Sequence, residues 1–148
     1  MTRWIEAQGW TSICSHAAPG KKGASGGVAI IAKRGIGLSR VADKCKAKHR
    51  LVLAKVEAPG YDEFLGAAVY LRDGIGLTGV NNSILAEIHR VLKLSAIAGI
   101  FGGDWNLEPT VLGTSSFLGD VNGVVVKHEG GGGVLAQRGS RILLWTIL

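Results

Sequence analysis

A short apolar run that ends in two glycines and an acid constrains this chain more than any other stretch. Residues 97–101 have the length and composition of a buried strand, and the sequence Gly-Gly-Asp-Trp-Asn follows at residues 102–106. A strand fixes a position, glycines let the backbone turn sharply, and the acid Asp104 is then presented at the strand tip. This pattern is typical of a metal or phosphate site. It also fits an Asp that only initiates a turn after a core strand.

The composition favours one globular domain that spans residues 1–148. The chain is 47% apolar and 19% charged, so it can bury a core and is not disordered in bulk. Its 23 glycines punctuate the sequence without a repeat. Two cysteines, Cys14 and Cys45, fit a reduced intracellular protein better than a disulfide framework. No stretch approaches the roughly 20 apolar residues of a membrane span, so we expect no membrane partner.

The net charge of +6 comes largely from one segment of the chain. Such a field attracts polyanions, and nucleic acid is the natural partner. The alternative is a solvated basic hairpin without a ligand, and composition alone favours that alternative. The basic residues of the segment are Lys33, Arg34, Arg40, Lys44, Lys46, Lys48 and Arg50.

Hydrophobic periodicity predicts an α/β (α+β) fold with mixed, largely antiparallel sheets covered by helices. Strands 28–33 and 50–57 are expected to pair antiparallel as neighbours. A helix over residues 81–94, begun by Asn81 or Asn82, connects two strands that are expected to be parallel. The sequence predicts a helix end over 1–8, a polar loop over 19–25, a glycine loop over 130–133, and strands over 10–17, 26–33, 38–41, 50–57, 64–71, 97–101, 124–126 and 142–148.

Three blocks in this order resemble the endonuclease/exonuclease/phosphatase superfamily of metal-dependent phosphoesterases. The first is Gly9-Trp10 followed by Ser-Gly-Gly-Val-Ala-Ile at residues 25–30. The second is Ala-Val-Tyr-Leu at residues 68–71, and the third is Gly-Asp-Trp-Asn at residues 103–106, which is the most specific of the three. The resemblance implies a four-layer α/β sandwich, of which this chain would form a part.

The resemblance also implies roles for three residues and a cofactor. Asp104 would orient or deprotonate the attacking water, Asn106 would hold the phosphate or that water, and Tyr70 would hydrogen-bond the phosphate. Residues two apart in an extended segment point to one side, so Asp104 and Asn106 would share a cleft while Trp105 points inward. Mg²⁺ or Mn²⁺ is the implied cofactor. Without the resemblance, Tyr70 is a half-buried sheet tyrosine and Asn106 a turn amide.

The chain also departs from the family pattern. The family has a metal-ligating Glu on a strand before the Gly-Trp block, and no residue here matches it; Glu6 lies on the following helix. The family ends in an Asp-His pair, and His128 has no matching context. Residues 139–142 begin like the strand that precedes that pair, but an apolar sequence replaces its acid. These departures predict a partial, truncated domain without the main metal carboxylate and with exposed sheet edges through which it could self-associate.

Three interpretations of function follow. The first is a divalent-metal-dependent phosphodiesterase or endonuclease that acts on nucleic acid, with weak or no activity from this chain alone. The second is a non-catalytic nucleic-acid-binding or interaction module that kept the scaffold and lost the chemistry. The third is a gene product with no selected role. The nucleic-acid-binding residues of the first two would be Lys33, Arg34, Lys44, Lys46, Lys48 and Arg50.

Overall fold

The computed structural model describes residues 2–20, 23–125, 134–135 and 142–145. The elements form an α+β fold, as predicted. In chain order they are α1 (Thr2–Ala7), β1 (Trp10–Ser15), β2 (Ala18–Gly20), β3 (Gly23–Ser25), β4 (Val28–Lys33), β5 (Gly37–Arg40), a 3₁₀ turn (Lys48–Arg50), β6 (Leu51–Glu57), β7 (Phe64–Tyr70), α2 (Gly79–Ser95), β8 (Ala98–Asp104), α3 (Pro109–Gly113), α4 (Ser116–Asp120), β9 (Val134–Leu135) and β10 (Ile142–Trp145).

A six-stranded mixed sheet forms the centre of the molecule, with the strand order β5-β6-β7-β8-β10-β9. β5, β6 and β7 pair antiparallel, whereas β7 and β8 pair parallel across the α2 crossover. The predicted crossover is therefore confirmed. β10 adds a second parallel neighbour to β8, which confirms a strand within the described part of residues 142–148.

The predicted pairing of strands 28–33 and 50–57 is wrong. Among the described strands, β4 pairs with β1 alone, in a separate two-stranded sheet, and β6 pairs with β5 and β7. β4 instead lies over the face of β6 and β7. Both strands are apolar in sequence, and the sequence does not distinguish pairing edge to edge from stacking face to face.

Helix α2 covers the other face of the six-stranded sheet. Its buried positions fall at helical spacing, as predicted, and include Ile84, Leu85, Ile88, Val91 and Leu92. They pack in one core with alternate residues of β6, β7 and β8. The described part of the molecule thus contains a helical layer, a large sheet and a small sheet, and α1 contacts β1 of the small sheet.

Several local predictions differ from the structure. The predicted polar loop over 19–25 contains the short antiparallel pair β2–β3. Asn81 does not begin α2, which starts at Gly79; its buried side chain instead binds the Arg72 backbone N–H and C=O and the Gly76 C=O. Val124 and Val125 are not in a strand, and α3, α4 and β9 were not predicted. Residues 126 and 130–133 lie outside the described residues.

A buried carboxylate ties the basic segment to α2. Glu87 is only 7% exposed. It accepts hydrogen bonds from the Lys44 backbone N–H (2.6 Å) and from Nε and Nη2 of Arg90 (2.8 and 2.6 Å). The Arg90 guanidinium, followed by the Lys44 N–H, holds the pKa of Glu87 below its ordinary value of 4.5. The ionised carboxylate therefore fastens the loop before β6 to the helix.

We expect Glu87→Gln to lower the free energy of unfolding by about 1–2 kcal/mol at pH 7, because an amide loses charge-assisted hydrogen bonds. The pKa of Glu87 is lowered by folding. Its contribution is therefore complete above the unfolded pKa of about 4.5 and is lost as the pH falls through the folded pKa. Urea unfolding from pH 7 down to pH 3 measures this, with the exposed Glu6→Gln as control. A wild-type advantage that stays constant down to pH 3 would contradict the assignment.

Candidate functional site

The parallel strands β7 and β8 end side by side and bring two predicted site residues together. Tyr70 and Asp104 are register partners, and neighbouring strands lie about 4.8 Å apart. Val69 and Leu71 are buried under α2, so Tyr70 between them points to the opposite face, toward the small sheet. Asp104 is exposed at the end of β8, three residues beyond the predicted strand end. The register therefore places the tyrosine and the acid side by side at the ends of the two strands.

Gly103 makes this juxtaposition sterically feasible. Its φ is +147°, and a Cβ added to it would lie 1.8 Å from the backbone oxygen of Val69 on β7. The sequence predicts a sharp turn at the glycines, but the strand does not end at Gly103. This glycine lets β8 approach β7 closely enough to continue pairing through Asp104, whose carbonyl accepts a hydrogen bond from the Leu71 N–H at 2.9 Å.

The turn after β8 differs from the extended segment that was expected. Asn106 has a φ of +45°, and its N–H donates to Asp104 Oδ1 at 3.2 Å. The Asn106 side-chain amide donates to the Leu71 carbonyl at 2.9 Å. One N–H and the Oδ1 of this amide remain for other partners. Trp105 is buried, as predicted, and its Nε1 has no hydrogen-bond partner among the described residues.

Arg50 lies directly against Tyr70 and is not a solvated surface charge. It ends the 3₁₀ turn before β6 and is only 8% exposed. Its guanidinium carbon lies 4.9 Å from the centroid of the Tyr70 ring, which is a cation–π contact. Nη2 donates to Ser25 Oγ at 2.8 Å. Arg50 is therefore part of the same corner as Tyr70 and Asp104.

The Gly26-Gly27 pair brings Ser25 to Arg50. Both glycines have positive φ, and a Cβ on Gly26 would lie 2.6 Å from the His49 carbonyl oxygen. The Gly27 N–H donates to that oxygen at 2.7 Å. Ser25 of the first block, Tyr70 of the second and Asp104 of the third are thus connected at one end of the sheet: Ser25 contacts Arg50, Arg50 contacts Tyr70, and Tyr70 pairs with Asp104. The Gly9-Trp10 part of the first block lies at the other end of β4.

The predicted basic residues separate into two groups. Lys44, Lys46 and Lys48 are exposed and alternate with buried Cys45 and Ala47, so they form a row on the solvent side, which we call the lysine row. Burial raises the pKa of the Cys45 thiol, as expected of a packing residue. The row leads directly into Arg50.

Lys33 and Arg34 are not part of the lysine row. Val28, at the start of β4, adjoins Gly27 and its bond to His49, whereas Lys33 ends the strand roughly 17 Å away. There Lys33 Nζ lies 5.9 Å from the Trp10 ring. These two cations therefore do not join the corner around Asp104.

The described residues contain no group of three or more His, Cys, Asp or Glu side chains that could hold a metal ion. Mg²⁺ or Mn²⁺ stays an implication of the resemblance. Among the described helices, none is long and apolar enough to span a membrane. No protein-family model matches the chain, and no curated protein matches it.

Sequence reasoning missed the contact between Ser25, Arg50 and Tyr70. Ser25 belongs to the first block of the resemblance, but the resemblance implies no role for it. The available signal was the glycine pair after it, since two adjacent glycines indicate a close backbone approach. Arg50 directly precedes an apolar strand, a position from which a side chain is easily drawn into the protein.

We expect Gly103→Ala to destabilise the protein by at least about 3 kcal/mol, because a Cβ must displace the Val69 carbonyl and separate β7 from β8. Gly113→Ala is the matched control, since a Cβ there meets nothing within 4 Å. Chemical denaturation followed by circular dichroism measures both variants. Equal stabilities of the two variants would contradict the close approach.

Proposed function

We propose that this chain contributes to the cleft of a divalent-metal-dependent phosphodiesterase or endonuclease that acts on nucleic acid. One observation supports the proposal above all others. Side chains from three distant segments of the chain meet at one end of the sheet, and they combine an exposed carboxylate with a tyrosine and a buried arginine. Phosphodiester hydrolysis needs such groups to hold the phosphate and to accept a proton from water.

Asp104 is the group best suited to activate water. It is exposed, and the Asn106 N–H engages only its Oδ1, so Oδ2 faces no such constraint. Asn106 is itself anchored to Leu71, which fixes the turn that carries both side chains. In this proposal Asp104 accepts the proton of the attacking water, and the remaining amide N–H of Asn106 orients that water or a phosphate oxygen.

Tyr70 and the lysine row bind the substrate in this proposal. The Tyr70 ring is held by Arg50, which leaves its hydroxyl to donate to a phosphate oxygen. The three lysines supply positive charge next to this corner, and this charge raises the local concentration of a polyanion. When bound, Mg²⁺ or Mn²⁺ would neutralise the negative charge of the phosphoryl oxygens.

No residue of this chain matches the family's metal-ligating Glu or terminal His, so we expect slow cleavage from the chain alone. Supercoiled plasmid in Mg²⁺ or Mn²⁺ should be nicked slowly, and EDTA should stop the reaction. Asp104→Ala should reduce nicking by about a hundredfold or to background, because it removes the proton acceptor.

Asp62→Ala is the control for that assay, because Asp62 precedes β7 at the opposite end from Tyr70. Nicking that survives Asp104→Ala, or that is equally reduced by Asp62→Ala, would contradict the assignment of Asp104. Fast cleavage abolished by Asp104→Ala would overturn the expectation of low activity. No metal-dependent nicking by the wild-type chain would favour the second candidate function.

The second candidate is a non-catalytic module that binds nucleic acid, or a partner protein, through the same face. The alternation of exposed lysines with buried residues favours nucleic acid, because it holds three cations in a row without acidic partners in ion-pair range among the described residues. Unpaired edges of β4 and β5 offer a route to self-association, which sedimentation velocity would reveal.

Replacing Lys44, Lys46 and Lys48 together by Gln should weaken binding of a DNA duplex and reduce the slope of log K against log salt by about two to three, since each lost phosphate contact contributes roughly one. Lys33→Gln with Arg34→Gln is the matched control and should change the slope less. Fluorescence anisotropy from low to moderate salt measures both. A larger effect of the control pair would place the binding surface at the other end of β4.

A further inference from the structure

We propose that Arg50, Ser25 and Tyr70 form a site that binds a phosphate group without the help of a metal ion. The proposal deepens the proposed function by naming the group that the cleft would hold. It rests on the proposed function only in one respect, namely that the phosphate belongs to a nucleic acid. The chemistry of the site itself follows from an uncompensated buried cation.

The charge of Arg50 has no anionic partner among the described residues. The ion pairs found there join Lys55 to Glu57 and Glu63, and Arg90 to Glu87. The Arg50 side chain is more than nine-tenths buried, and its Nη1 is buried without any hydrogen-bond partner in that part of the chain. Burying an unpaired charge is unfavourable, and an anionic ligand would offset this cost.

The backbone around Arg50 is fixed before any ligand binds. The Arg50 N–H donates to the Ala47 carbonyl at 2.8 Å, and the His49 carbonyl accepts the Gly27 N–H. The Ser15 hydroxyl donates to the Lys48 carbonyl. These bonds fix the backbone of Arg50, and the contacts with Ser25 Oγ and the Tyr70 ring hold its guanidinium. A preorganised cation of this kind binds an anion at low reorganisation cost.

The neighbouring groups favour a tetrahedral oxyanion. Ser25 is exposed, and its Oγ already accepts a hydrogen bond from Arg50 Nη2, so its own proton is left to donate outward. The half-buried Tyr70 ring lies against the same guanidinium, and its side chain carries a second hydroxyl donor. Phosphate offers several oxygens to the arginine fork and the hydroxyls together, and exposed Lys48 adds charge at the rim.

The position of the site relates it to Asp104. Tyr70 is shared, because it contacts Arg50 and pairs in register with Asp104. A phosphate held by Arg50 and Ser25 would therefore lie beside the carboxylate to which we assign water activation. Arg50 contributes binding and positioning here, and proton transfer is left to Asp104.

Titration of inorganic phosphate into the chain in EDTA at low ionic strength, followed by calorimetry, tests the site without any cleavage. We expect saturable binding. Arg50→Met should abolish it, and Arg50→Lys should weaken it about tenfold, because lysine keeps the charge but loses the fork. Ser25→Ala should weaken it several-fold. Arg34→Met, at the far end of β4, is the matched control and should bind as the wild type does.

The thermal unfolding of each variant is also measured, to show whether the variant is folded. Arg50→Met removes a buried, unpaired charge, so we expect the protein to stay folded. If it does not fold, Ser25→Ala decides the question, because Ser25 is exposed. No saturable binding by the wild type, or equal affinity in wild type, Arg50→Met and Ser25→Ala, would overturn the proposal and leave Arg50 as a packing partner of Tyr70.

A competition experiment identifies the source of the phosphate. A single-stranded oligothymidylate should displace inorganic phosphate in EDTA if the site accepts a nucleic-acid phosphodiester. Phosphate binding without such competition would support the anion site and overturn its link to nucleic acid. Intact competition together with an absence of metal-dependent nicking would reject the nuclease proposal while supporting the phosphate site. The two proposals therefore fail in distinguishable ways.

Discussion

The close parallel pairing of β7 with β8 is the constraint on which the candidate site depends. It is possible only because Gly103 lacks a Cβ where the Val69 carbonyl approaches. Backbone hydrogen bonds then continue past the regular strands to Leu71 and Asp104. A carboxylate at a frayed strand end would sample many positions. Here it is held in register with Tyr70, and both lie on the face toward the small sheet.

Side-chain amides complete this corner. Asn81 of α2 holds the backbone of Arg72 and Gly76 directly after β7, and Asn106 binds the carbonyl of Leu71 from the other strand. The loop after β7 is therefore fixed from the helix on one side and from the turn after β8 on the other. The crossover helix stabilises the fold and also determines where the end of β7 lies relative to Asp104.

The elements with strong local signals could be predicted from sequence, and the contacts between them could not. The stripe of Ile84, Ile88 and Val91 predicts α2, and the helix between two apolar strands predicts their parallel pairing. The division of β4 and β6 between two sheets depends on long-range packing that periodicity does not encode. A common role for Asp104 and Tyr70 is implied by the resemblance alone. The turn at Asn106 and the burial of Arg50 could not be predicted from the sequence, because each depends on the approach of a distant backbone segment.

Charge that is contiguous in sequence is not contiguous in this structure. The basic segment from Lys33 to Arg50 contains a whole strand and a connection, and its first two cations lie at the far end of β4. The lysine row is exposed because its neighbours Cys45 and Ala47 are buried, and Glu87 fixes the row to α2 through the Lys44 backbone. Arg50 differs from both groups because it is buried and forms no ion pair with any residue that the structure describes. Exposed lysines attract any polyanion, whereas a desolvated arginine held by a fixed turn discriminates by geometry. In the two proposals these groups separate attraction from recognition: the lysine row would attract a nucleic acid, and Arg50 would position one phosphate beside Asp104.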